Sequence, residues 1–301
     1  MSTKPILFFL ATTLAFAQLP PAADWAAHAQ NEYQVFPNIT YLTASGYESK
    51  LDIYQRRDTG THPTVIYFHG GGWIRGTKEA SAMNFLPWLE MGWNVVNVEY
   101  RMARVALAPA AVEDGLCALR FAVAQAKTYG IDTNRIVLTG ESAGGHLALT
   151  TGMIPESAGF TNVCAGGGFT TSESAVPKVA AIINWYGITD VADLLAGSNS
   201  KAYAVQWLGS VPNREALARS VSPITYVRSG LPPILSIQGD ADPIVPYSQN
   251  VRLRDALSKA GVSVELVTIP GGGHGNFKPD ERTKIYLKIR EFLTKNGLGG
   301  V

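Results

Sequence analysis

The rhythm of hydrophobic and polar positions changes along this chain, and each change predicts an element. Between residues 35 and 54, two runs, Ile39-Thr-Tyr-Leu42 and Lys50-Leu-Asp-Ile-Tyr54, alternate around Gly46. A period of two with one polar face predicts antiparallel, half-exposed strands. Thr64-Val-Ile-Tyr-Phe68 is apolar almost throughout, as strands covered on both faces of a parallel sheet are. From there the pattern switches repeatedly between helix and strand. Helical spacing predicts helices over residues 79–91, 109–129, 247–260 and 282–295. Apolar runs predict strands over 94–100, 136–138, 179–186, 234–238 and 262–269. Pro109 near a first turn and Gly130 just past an end fit the asymmetry of helix termini.

Strands interleaved with helices imply an α/β protein, with a mostly parallel central sheet and helices on both faces. One fold spans residues 35–301, since no shift in composition marks a second domain. Residues 155–177 and 190–226 break the alternation. Both are expected to form a small cap over a pocket at the carboxyl ends of the strands.

The N-terminus has a different character. Lys4 precedes an apolar run over residues 6–16, and Ala15-Phe16-Ala17 supplies a small-x-small cleavage pattern. Residues 1–17 therefore read as a secretory signal peptide, too short to span a membrane, and the protein is expected to be secreted or periplasmic. Residues 18–34 read as a linker or loose N-terminal arm. Hydrophobic residues make up 46% of the chain, ample for a core, and a net charge of +1 leaves no basic stripe for nucleic acid. An oxidising compartment permits a disulfide between Cys117 and Cys164, but two buried free thiols fit the sequence equally well.

The chemistry centres on Gly140-Glu-Ser-Ala-Gly144, set between an apolar strand and a helical run rich in alanine and leucine. In that setting G-x-S-x-G forms a nucleophile elbow, a turn so tight that Ser142 is pushed out with its hydroxyl exposed. The helix that follows points its free N–H groups toward the same spot. A lone hydroxyl needs a base, and the chain has five histidines. His28 lies in the arm and His62 before a strand; His146 is on the helix after Ser142, where packing is expected, and His69 opens a glycine loop. His274 remains, in Pro270-Gly-Gly-Gly-His-Gly-Asn-Phe277 after the last strand. A carboxylate must hold the base, and Gly239-Asp-Ala-Asp-Pro243 follows a buried strand in the expected chain order of Ser, Asp, His. Asp240 and Asp242 both compete for that role. Asp240 can instead cap the turn. His69-Gly-Gly-Gly-Trp73 permits the close backbone approach of an oxyanion hole, with the Ala143 N–H as a second donor. It lacks the Lys-Ser/Thr of a phosphate-binding loop.

Together, His69-Gly-Gly-Gly-Trp73, Gly140-Glu-Ser-Ala-Gly144, Gly239-Asp-Ala-Asp-Pro-Ile-Val-Pro246 and Gly273-His-Gly275 resemble α/β-hydrolases of the hormone-sensitive-lipase-like esterase group. Within it the chain is most similar to secreted bacterial esterases related to acetyl xylan and feruloyl esterases. The resemblance implies the α/β-hydrolase fold and a Ser142, His274, Asp242 triad, with Asp242 favoured over Asp240. It places the oxyanion hole at Gly71, Gly72 and Ala143 and sets Trp73 in the substrate pocket. The arm is too short for the N-terminal cap helices of lipid-directed members, which shifts the expectation toward small or sugar-linked acyl groups. The implied reaction is hydrolysis of a small ester or acylated polysaccharide by a serine esterase. It requires no cofactor, metal, nucleic acid or membrane, and leaves the oligomeric state open. An amide-cleaving relative, such as a formamidase or a prolyl-peptidase-like hydrolase, would use the same machinery. A non-catalytic binding module would be expected to have lost part of it.

Overall fold

In the computed structural model, which describes residues 19–167 and 177–299, helix α1 (Pro21–Glu32) leads into strands β1 (Tyr33–Ala44), β2 (Tyr47–Arg56) and β3 (His62–Phe68). Next come α2 (Leu86–Glu90), β4 (Asn94–Val98), α3 (Ala110–Ala124), β5 (Ile131–Glu141), α4 (Ala143–Met153) and β6 (Ala181–Trp185). The remainder holds α5 (Ala202–Leu208), α6 (Arg214–Ser220), β7 (Ile234–Gly239), α7 (Tyr247–Lys259), β8 (Val264–Ile269) and α8 (Pro279–Lys295). The segment read as a signal peptide lies outside the described residues. Where a loose arm was expected, α1 is helical: Pro20 and Pro21 open it, Trp25 packs against the core on the α2 side of the sheet, and no residue of it is fully buried.

The strands form one eight-stranded sheet in the order β1-β2-β4-β3-β5-β6-β7-β8. The β1–β2 and β2–β4 pairs are antiparallel and every other pair is parallel. This is the α/β-hydrolase fold. Its two cores follow from the period of a strand, which sends successive side chains to opposite faces. Ile66, Phe68, Val96, Val98, Ile136, Leu138, Ile182 and Ile234 pack with α3, α4 and α7. Their neighbours Val65, Tyr67, Val95, Val137, Ile183, Leu235 and Ile237 pack with α2 and α8 on the other side. Both faces are apolar, so the central strands could not show alternation in the sequence.

The predicted helix over 79–91 divides into a 3₁₀ helix, Glu79–Phe85, and the short α2. Pro87 lies in the first turn of α2, where its missing N–H costs no hydrogen bond. The helix expected over 109–129 ends at Ala124, and β5 extends well beyond residues 136–138 at both ends.

The two segments expected to cap the pocket separate. Residues 190–226 carry α5 and α6, and this segment reaches the strand ends near Ser142: Lys201 Nζ donates to the Pro243 carbonyl at 2.9 Å and Tyr203 lies against Gly72. Residues 155–167 of the other segment do not cap the pocket. Cys164 is disulfide-bonded to Cys117 of α3, and the 3₁₀ helix Asn162–Gly167 packs on α3 and β1. Pro155 and Thr161 line a cavity of about 810 Å³ with Asn134, Ala180 and Pro233, near the amino ends of β5, β6 and β7. The reason is the helix before this segment. α4 starts beside Ser142 and carries the chain about 16 Å toward the opposite edge of the sheet.

Candidate active site

Ser142 stands between the end of β5 and the start of α4, with φ 57° and ψ −117°. For a residue with a Cβ this conformation costs about 1–3 kcal/mol and persists only where its surroundings enforce it. Here the Ser142 N–H donates to the Trp185 carbonyl at 2.9 Å, and close packing holds both sides of the turn. A Cβ added at Gly144 would collide with the Phe68 carbonyl, so only glycine lets α4 approach β3 this closely. The sharp turn and the outward placement of the half-buried Ser142 side chain thus share one cause.

His274 reaches the same point from the loop after β8. Its Nε2 lies 2.9 Å from Ser142 Oγ, and its Nδ1 lies 2.8 Å from Asp242 Oδ2. A carboxylate only accepts, so Nδ1 carries the proton and Nε2 is free to accept from the serine hydroxyl. Asp242 itself is held firmly. Its Oδ1 accepts from the N–H groups of Ile244 at 2.8 Å and Val245 at 3.0 Å, and Gln238 Nε2 donates to Oδ2 at 3.1 Å. Burial pushes the Asp242 carboxyl up, but the hydrogen bond and charge of His274 and the two backbone N–H groups outweigh it and hold the group below its ordinary range. Asp240 stands outside the relay, and rather than capping its own turn it braces the one after β8, its Oδ1 accepting from the Gly271 N–H at 2.7 Å.

The glycine loop passes directly beside the serine, where a Cβ on Gly70 would sit 3.0 Å from the Glu141 carbonyl oxygen and 3.6 Å from Ser142 Cβ. Gly71 and Gly72 have φ of 123° and 62°, in the region glycine favours. His69 holds the loop from below, with Nδ1 2.7 Å from the Gly70 carbonyl and its ring stacked on Tyr100. Ala143 is the first residue of α4, where an N–H has no partner within the helix. Of the residues expected to form the oxyanion hole, Ala143 follows Ser142 directly, and Gly71 and Gly72 follow Gly70 in the loop that passes beside it.

Trp73 does not take the place expected for it. Its side chain is fully buried, stacked on Trp207 at 4.1 Å between ring centroids, and its indole N–H donates to His146 Nδ1 at 3.2 Å. With φ 60° at Trp73, the backbone turns the ring away from the loop surface and into the core. His146 Nε2 lies 2.6 Å from the Val221 carbonyl, so the neutral tautomer satisfies both ring nitrogens. Burial pushes this imidazole down to about 4, only partly offset by the Val221 carbonyl. Of the other aromatics near the site, Trp185, Tyr186 and Trp207 are buried, whereas Tyr203 stays partly exposed beside Gly72.

Sequence reasoning missed the residues behind His274. Arg282 donates to the Gly275 carbonyl at 2.7 Å, and the edge of the Tyr186 ring meets the imidazole at 4.7 Å between centroids. Asn84 Nδ2 donates to Glu141 Oε2 at 3.2 Å. The one available signal was the acidic residue placed directly before the elbow serine.

Comparison with known proteins agrees with this geometry. Residues 51–257 match the BD-FAE family. The chain is 28% identical over 235 residues to Esterase LipC of Mycobacterium tuberculosis, covering 75% of this chain and 56% of that protein. It is 30% identical over 274 residues to the ethyl acetate hydrolase of Pseudomonas putida, covering 85% and 80%. A truncated carbohydrate esterase from gut microbiota superposes with a TM-score of 0.71 at 28% identity, covering 88% of this chain and 98% of that one. The chain spans about half the length of the mycobacterial esterases it matches. A family match over more than half the chain and an elbow, base, acid and glycine loop on one sheet edge lead to one assignment: this protein belongs to the BD-FAE family of α/β-hydrolases.

Proposed function

We propose that this protein is an exported serine carboxylesterase that hydrolyses short-chain or carbohydrate-linked acyl esters, acetyl and feruloyl esters among them. The observation that carries the reading is the continuous relay from Ser142 Oγ through His274 to Asp242, at 2.9 and 2.8 Å. Ser142 Oγ attacks the ester carbonyl as its proton passes to His274 Nε2. Asp242 fixes the tautomer and stabilises the imidazolium. The tetrahedral oxyanion accepts hydrogen bonds from the backbone N–H groups of Gly71, Gly72 and Ala143, each worth about 3 kcal/mol in comparable sites. Collapse expels the alcohol, which takes the proton from His274 and leaves an acyl-enzyme. Water, deprotonated by His274, then releases the acid and restores Ser142.

The substrate class rests on the ethyl acetate hydrolase and the carbohydrate esterase among the similar proteins, and on Tyr203, a partly exposed ring beside Gly72. Export is supported by the leader-like run over residues 6–16 and by the Cys117–Cys164 disulfide, a bond that persists in oxidising compartments. The test is hydrolysis of a chromogenic series from acetyl to long acyl esters, with acetylated xylan and a feruloyl ester, by the exported protein and by Ser142→Ala. Turnover of short or sugar-linked esters that disappears in the variant is expected, from a protein whose first residue lies near Gln18. Absence of ester turnover, or a variant matching the wild type, would overturn the catalytic reading, and cleavage of formamide or peptide substrates would replace it. An uncleaved N-terminus would overturn the reading of residues 1–17.

A further inference from the structure

The face of β6 and β7 that packs with α4 and α7 stops being apolar at its carboxyl end. Ile182 gives way to Asn184 on β6, and Ile234 gives way to Ser236 and Gln238 on β7, each two residues on and so on the same face. Asn250, near the start of α7, meets them. Asn184, Gln238 and Asn250 are at most 1% exposed, a depth at which an unpaired polar group is costly.

Their amides are paired in one continuous series. Asn184 Nδ2 donates to Ser236 Oγ at 3.0 Å and to Asn250 Oδ1 at 2.8 Å. Asn250 Nδ2 donates to the Gly187 carbonyl at 3.0 Å and to Gln238 Oε1 at 2.8 Å. Gln238 Nε2 donates to the Val245 carbonyl at 2.8 Å and to Asp242 Oδ2 at 3.1 Å. Each amide nitrogen thus uses both of its protons. Backbone partners fix which way each amide points. The Gly187 N–H, which only donates, meets Asn184 Oδ1 at 2.9 Å, and the carbonyls of Gly187 and Val245 only accept. The three carboxamides therefore run head to tail, and the last N–H ends on the oxygen that accepts from His274 Nδ1.

The other end of the series lies against the elbow. Trp185, next to Asn184, accepts the Ser142 N–H at 2.9 Å, and a Cβ on Gly145 of α4 would lie 2.6 Å from Asn184 Oδ1. We propose that Gln238 and Asn250 are positioning residues that act through Asp242: the amide series sets the place of Oδ2, and with it the imidazole, relative to Ser142. The proposal rests on the serine hydrolase reading given above. Members of a buried hydrogen-bond network hold and polarise one another, so a break at Asn250 reaches the acid through Gln238.

Gln238→Met keeps the length of the side chain and removes the donor to Asp242. Asn250→Ala leaves Gln238 in place but takes away the partner that orients its amide. The first readout is the His274 Nδ1 proton, selected by ¹⁵N-histidine labelling and assigned with His274→Gln, whose low-field resonance at neutral pH reports the bond to Asp242 directly. It is expected to move upfield in both variants, further in Gln238→Met. On a short ester, kcat is expected to fall by about 10²-fold in Gln238→Met, the effect of misplacing a catalytic group by about 1 Å. Asn250→Ala is expected to give a smaller fall, with KM little changed in either variant. A network that serves stability alone would lower the melting temperature and leave the resonance and kcat where they are. That result in Gln238→Met would overturn the proposal, and in Asn250→Ala alone it would strike Asn250 from it. If Gln238→Met does not fold, Asn250→Ala decides, and an unchanged resonance and kcat there would overturn the proposal. A wild type that cleaves no ester and is not labelled at Ser142 by a fluorophosphonate would sink the serine hydrolase reading, whereas the resonance would still show whether the amides place Asp242 against His274.

Discussion

Asp240 and Asp242 stand two residues apart in one turn but serve different partners. Asp240 accepts from the backbone N–H of Gly271 in the neighbouring turn after β8, whereas Asp242 accepts from the imidazole and from two N–H groups of its own loop. Replacing Asp242 with Asn leaves the packing but removes the charge and disturbs the tautomer. Ester kcat/KM is expected to fall by about 10³–10⁴-fold. Asp240→Ala is expected to cost about 1 kcal/mol of stability with activity within tenfold. Equal losses of activity in a side-by-side kinetic assay would contradict this division. Two acids in one glycine-flanked turn look nearly alike as sequence, so only the distance to the ring separates them. Trp73 teaches the same lesson, since its place beside the glycine loop was legible but the direction of its ring was not.

At the scale of elements, legibility tracked locality. The elbow was plain because strand, tight turn and helix are contiguous, and the glycine of the close approach, Gly144, lies two residues from the serine. The fate of residues 155–167 was not, because it depends on where α4 delivers the chain. The disulfide decides how that segment is held: it closes a loop of 47 residues between α3 and the 3₁₀ helix that follows α4. Constraining the unfolded chain over such a loop is worth about 4 kcal/mol. Replacing both cysteines with Ala is therefore expected to lower unfolding free energy in urea by up to that amount while the relay beside Ser142 keeps its activity. An unchanged urea midpoint would show that the loop is held by packing alone.

For the molecule as a whole, His146 makes stability depend on pH. The imidazole titrates near 6.5 when free and at about 4 when folded, because the buried site disfavours its charged form. Between those values the unfolded chain binds the proton and the folded protein does not. The contribution is complete above about pH 6.5 and is lost as pH falls, amounting to about 3 kcal/mol by pH 4. Urea unfolding at pH 7, 5.5 and 4 should show this loss in the wild type and a flatter dependence in His146→Gln, whose side chain cannot titrate. Parallel curves would mean that other groups govern acid stability. Apolar runs alternating with helical spacing identified the fold because strands covered on both faces and one-sided helices leave different periods in a chain. The order of elbow, acid and base was fixed by the chain itself, as was the chemistry each residue type can perform. The tertiary structure alone decided which aspartate meets the imidazole, which side Trp73 faces, and that Tyr186 and Arg282 gather behind His274. Those outcomes depend on contacts between residues such as Ser142 and His274, 132 positions apart, whose meeting is set by the packing of the sheet rather than by any local pattern.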